Sequence, residues 1–218
     1  DLGRAQEAML RLLAGAKRHR SDPELLAGLV HALRYCGLLD ASVAAYEKAA
    51  RLDPNVTTSV CQTFWMLGDT HRAVETEREG DRMMGMLAAL RNDQPAPVIA
   101  QLKRRAAKVS GAVEVTNRAF LAVLEQDAQA FAGPFDSLLA STRDPENLYY
   151  MALMAARVGD RDRCLSALER AVRGGWFCAQ TIAGEAWLAY DAGAFPGAMI
   201  GPGCMCVFSC YDLPNARV

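Results

Sequence analysis

Cysteine is the residue type here with the clearest capacity for chemistry. Seven occur in 218 residues, and three fall together as Cys204-x-Cys206-x3-Cys210. Three thiolates can hold zinc or a cuprous ion, and Cys178 is a candidate fourth ligand. The spacing matches no defined zinc motif, however, and no histidine lies nearby in the chain. The reading is therefore of a flexible or partner-dependent tail and no cofactor, with metal binding kept as the alternative. Cys36, Cys61 and Cys164 stand singly inside or beside helical patterns, as does Cys178, where a reduced, buried thiol is the ordinary case. That usage suits a cytoplasmic protein.

Other chemistry is sparse. No phosphate loop of the G-x-x-x-x-G-K type occurs, and Gly197, Gly201 and Gly203 follow no strand pattern. His19, His31 and His71 lack a local metal-binding spacing, and no serine occupies a nucleophile elbow. Glu77 and Glu79 are read as a solvated helix face. The chain is expected not to be an enzyme. With 24 basic and 25 acidic residues its net charge is −1, which provides no general attraction to nucleic acid or to an anionic membrane. Lys17-Arg18-His19-Arg20 and Lys103-Arg104-Arg105 are short runs on helix faces. No apolar stretch approaches the ~18 residues needed to span a bilayer, and no signal peptide is visible.

The elements that would position any site are repeated. Gly37 to Arg51 and Gly159 to Arg173 share a turn glycine, a large residue nine positions on (Tyr46, Leu168) and a small one three later (Ala49, Ala171). Each also sets a Glu four residues before an Arg, Glu47/Arg51 and Glu169/Arg173, the favourable order for a helical ion pair. Amphipathic runs precede both, Pro23 to Tyr35 and Pro145 to Arg157. Further turn markers at Gly3, Gly68, Asp93, Gln126 and Gly193 complete a series at 3, 37, 68, 93, 126, 159 and 193. Its intervals are 34, 31, 25, 33, 33 and 34, the period of a two-helix solenoid with one shortened unit. Ala8, Ala49, Ala73 and Ala171 are expected at close helix contacts, with Leu29, Leu33, Leu148 and Met151 filling the space between. Pro23, Pro54 and Pro145 mark unit junctions.

Tyr46-Glu-Lys-Ala49-Ala-Arg-Leu-Asp53-Pro54-Asn55 resembles the closing helix of a tetratricopeptide repeat, and Pro145 to Gly174 resembles a whole unit. Gly174-Gly175-Trp176-Phe177-Cys178 with Ala186-Trp187-Leu188 is similar to the end of repeat arrays attached to bacterial signalling proteins. The likeness covers about two-thirds of the chain, strongest over 22–80 and 145–175 and weakest over 81–125. Leu26 and Leu148 replace the family's early aromatic, and Val30 and Ala152 its first-helix glycine. The expected fold is all-α, a right-handed α-solenoid of stacked helix–turn–helix repeats over 1–193 with an irregular Gly/Pro/Cys-containing tail over 194–218. Gly3 enters at a turn, so the first unit lacks its opening helix, as in a piece of a larger protein.

The resemblance implies a scaffold that binds a peptide or helix of a partner protein in a concave groove. The alternative is a regulatory or sensory module of a larger bacterial signalling protein. Homo-oligomerisation or contact with further domains of a longer chain stays open. By register, the inner surface is expected to carry His31, Arg34, Tyr35, Gln62, Trp65, Phe120, Tyr149, Arg157, Trp187 and Tyr190, aromatic and Arg types that binding hot spots use; that the large aromatics are core is the alternative. Where some family members hold a terminal carboxylate with Lys and Asn, this chain has Ala27, His31, Thr58 and Gln62, so that clamp is not expected.

Overall fold

The computed structural model describes residues 4–77, 83–106 and 108–176. Among them are eleven helices and no strand. In order these are α1 (Ala5–Arg18), α2 (Pro23–Tyr35), α3 (Leu39–Leu52), α4 (Val60–Met66), α5 (Thr70–Glu75), α6 (Met83–Arg91), α7 (Ala96–Ala106), α8 (Ala112–Glu125), α9 (Ala128–Ser141), α10 (Pro145–Arg157) and α11 (Arg161–Arg173). No helix among the described residues is long and apolar enough to cross a membrane. The tail over 194–218 lies outside the described residues.

Local chemistry sets where the helices start. Asp22 accepts N–H bonds from Glu24 and Leu25 at 3.0 and 3.4 Å, and Pro23 fills the first helical position of α2. Asp144 and Pro145 do the same for α10, with Asn147 N–H donating at 2.8 Å. These side chains pair amides that the helix itself leaves unbonded. Proline costs nothing there, since its missing N–H would have had no helical partner.

The same holds for where they stop. All five of the marked turn positions that are described, Gly37, Gly68, Asp93, Gln126 and Gly159, have positive φ. Each turn closes with two backbone bonds. At the first, Gly37 N–H reaches Arg34 O at 2.9 Å and Leu38 N–H reaches Leu33 O at 2.9 Å; at Gly159 the pair is Ala156 O and Ala155 O. This double closure pairs the last carbonyls of one helix and needs a left-handed residue, which glycine adopts without steric cost. Asp69, Asp127 and Asp160 then cap the following helix at once, so each turn is nearly as short as two helices allow.

Packing is sequential, with α2 on α3, α4 on α5, α8 on α9 and α10 on α11. The first helices of successive units also touch, α2 with α4, α4 with α6, α6 with α8 and α8 with α10, forming one inner row. That arrangement is consistent with a helical repeat. Ala49, Ala73 and Ala171 are fully buried, and Leu29, Leu33, Leu148 and Met151 fill the core. Ala8 departs from its expected role and is exposed. The helix α1 packs chiefly on α2, turning Ala5, Met9, Leu12, Gly15 and Ala16 inward and leaving Ala8 outside that stripe. Pro54 follows α3 but starts no helix, since α4 begins only at Val60. The shortened unit, where the repeat signal is weakest, also packs least regularly, α7 resting on α8.

Candidate functional site

One feature breaks the neighbour-to-neighbour logic of a repeat array. Arg34 at the end of α2 meets Glu146 at the start of α10, Nε to Oε1 at 2.8 Å and Nη2 to Oε2 at 2.7 Å. Among the described residues, the inner row therefore curls until α2 and α10 are joined. Arg34 is fully buried and Glu146 is 4% exposed. The remaining guanidinium N–H groups donate to the Ser59 carbonyl at 2.8 Å, to Ser59 Oγ at 3.0 Å and to Thr63 Oγ1 at 3.4 Å, and Nη2 lies 3.1 Å from His31 Nδ1. Loss of water works against the Arg34 charge, but the Glu146 carboxylate, with smaller contributions from Tyr150 and Tyr35, outweighs it, and the pKa of Arg34 is raised. Next to this pair, Tyr35 donates its hydroxyl to Asp144 Oδ2 at 3.0 Å. Trp176 lies edge-on to Tyr35, ring centres 4.8 Å apart, and stacks on Tyr149 at 5.5 Å.

The sequence-derived surface set therefore divides. Arg34, Tyr35, Trp65 and Tyr149 are interior, at most 2% exposed, which corrects their placement on an open face. The reason is the curl, because α10 and Trp176 occupy the space that their register would leave to a partner. Trp65 is sealed by Arg91, whose guanidinium lies 3.7 Å from its ring centre. His31 stays exposed at the edge of the network, its ring tilted against Tyr35 with centres 4.5 Å apart. Its pKa is lowered by the water it loses and by the neighbouring Arg34 charge, against weaker opposing pulls from Glu146 and Asp144. Arg157 is half-buried. Trp187 and Tyr190 lie outside the described residues.

Gln62 and Phe120, both half-buried, share a cleft of about 590 Å3 among α4, α6, α7, α8, α9 and α10. Its apolar lining includes Met83, Met84, Leu102, Met151 and Met154. Methionine is adaptable lining, unbranched and polarisable, and it reshapes around what enters. Polar groups interrupt this lining, Thr116, Thr142 and Asn147 among them. Glu77 is committed to the start of α6, its two oxygens accepting from Met84 N–H at 2.7 Å and Gly85 N–H at 3.0 Å. Arg105 and Asn117 line another side, and Tyr150 lies at the α10 wall. The amide nitrogen of Asn117 and the hydroxyl of Tyr150 are buried and lack hydrogen-bond partners. Burial pushes the Cys61 thiol, also in the lining, up to about 11. It is therefore a protonated, inert thiol at neutral pH.

Sequence reasoning missed Glu146, Asp144, Asn117, Tyr150 and the methionines as site residues, naming Met151 only as core. A signal existed for the methionines alone: α6 begins Met83-Met84-Gly-Met86, an unusual density for an adaptable residue. Among the described residues no group of three or more His, Cys, Asp or Glu could hold a metal ion. The Cys204, Cys206 and Cys210 cluster lies outside them. Compared with family models, characterised proteins and solved structures, the chain matches none.

Proposed function

We propose that this chain is a right-handed tetratricopeptide-like solenoid that serves as a protein–protein interaction scaffold, and that the methionine-lined cleft receives a peptide segment of its partner. The cleft carries this reading, since it places Gln62 and Phe120 together on the inner row within a mostly apolar lining. Concave apolar surfaces with few polar groups are the usual form of a binding site. The interior position of Arg34 and Tyr35 moves the proposed contact away from the closed end of the row. Binding needs no catalytic group, and no metal or cofactor is invoked.

A second reading, a regulatory module of a larger bacterial signalling protein, draws on the Gly174 to Cys178 resemblance. Trp176 of that segment is fully buried between Tyr35 and Tyr149. A closing segment wedged between α2 and α10 would let events beyond it reach the whole row.

Selection of displayed linear peptides on the full chain tests the first reading. Enriched peptides should be apolar, and Phe120→Asp should weaken them at least about tenfold while the melting temperature holds within a few degrees. Absence of enrichment, or equal binding to the variant, would refute it.

A further inference from the structure

The two unpaired groups beside the cleft restrict what can occupy it. A buried donor without a partner carries its full desolvation cost, and an occupant that pairs it removes that cost. A docked helix is poorly suited, because its carbonyls are already bonded within the helix. A purely apolar body leaves both groups as they are, and an ammonium brings more donors to the Asn117 amide and the Arg105 guanidinium. An apolar chain ending in a carbonyl or carboxylate oxygen satisfies both demands. Its body meets Met83, Met84, Leu102, Phe120, Met151 and Met154, and its oxygen accepts from Asn117 Nδ2 or from the Tyr150 hydroxyl.

We propose that the cleft is a site for a small apolar carboxylate of the acyl-chain class, bound with its oxygens toward Asn117, Tyr150 and Arg105. The volume of about 590 Å3 falls inside the range of about 300–1,000 Å3 occupied by small ligands. Tyr150 is 1% exposed, so an incoming oxygen reaches its hydroxyl only when lining side chains shift, and methionine's three rotatable bonds make such a shift inexpensive. Among the described residues Glu77 is the one carboxylate in the lining. Its two oxygens are held by the α6 amides, which leaves the Arg105 side of the cleft for an anionic head. The inference rests on the cleft being a binding site, as in the scaffold reading, but not on the partner being a peptide.

Decanoate is the probe, with decylammonium as its equal in length and opposite in head group, each titrated into the full chain by calorimetry. Methionine methyl NMR reports location. Decanoate should saturate with a Kd of about 1 mM or tighter, shift the methyls of Met83, Met84, Met151 and Met154, and exceed decylammonium about tenfold. Tyr150→Phe removes one oxygen from a side chain of unchanged shape. This variant and Asn117→Leu should each weaken decanoate about three- to tenfold and leave decylammonium as it was. Absence of saturation, equal binding of the two probes, or parental affinity in both variants would overturn the proposal. Peptide binding that survives such a failure would leave the scaffold reading standing; loss of both would remove the cleft as a site.

Discussion

Replacing Glu146 by alanine removes both carboxylate oxygens from Arg34 and leaves its charge fully buried. Breaking a buried pair from one side costs about 3–5 kcal/mol, because the surviving charge has lost its water and its counter-ion together. Three bonds from Arg34 to the Ser59 carbonyl, Ser59 Oγ and Thr63 Oγ1 survive, which places the cost toward the lower end of that range. For a chain of this length about 1 kcal/mol shifts the melting temperature by about 2–4 °C, so the expected drop is about 6–12 °C. The pair Arg34→Met with Glu146→Leu removes both charges at similar volume. It should melt near the parent or above it, by up to about 4 kcal/mol. Urea unfolding followed by far-UV circular dichroism and by tryptophan fluorescence gives the numbers. Trp176 lies at this junction against Tyr35 and Tyr149, so fluorescence also shows whether the junction opens before the rest. If Glu146→Ala loses less than about 1 kcal/mol, or the double variant is as unstable as the single changes added together, the row is not closed by this pair.

The pH dependence should carry a signature of His31. Its folded pKa lies below the ordinary 6.5, so its contribution is fully present above about pH 6.5 and is lost as pH falls through the lower folded value. Urea midpoints measured from about pH 8 to about pH 5 should decline in the parent and flatten in His31→Gln; equal slopes would refute the assignment. Gly159→Ala should cost about 1–2 kcal/mol, because φ is +78° there and alanine pays the left-handed penalty. No atom lies within 4 Å of the added Cβ, so the loss is one of backbone alone, and an unchanged urea midpoint would show that the turn opens at no expense.

Much of this architecture follows from short-range rules that a sequence displays directly. The amphipathic runs Pro23 to Tyr35 and Pro145 to Arg157 coincide with α2 and α10, because their caps and turns involve residues only a few positions apart. Positive φ at Asp93 and Gln126 as well as at the glycines shows that the repeat interval located the turns even where the residue type was less telling. The candidate site was far less legible. Asp-Pro-Glu occurs twice, at 22–24 and at 144–146, and both copies begin a helix with the same cap. Glu24 is exposed while Glu146 is buried against Arg34. Nothing within the triplet separates them, because the difference is a partner 112 positions away. Arg34 and Tyr35 had the residue types of a binding surface, and became interior once the inner row curled far enough for α10 to reach α2. The cleft depends equally on distant parts, since Gln62, Phe120 and Tyr150 meet there from three helices. Periodicity and capping act within a helix or one turn and can be read along the chain; the sum of small rotations between stacked units decides which ends meet, and only the folded structure contains that sum.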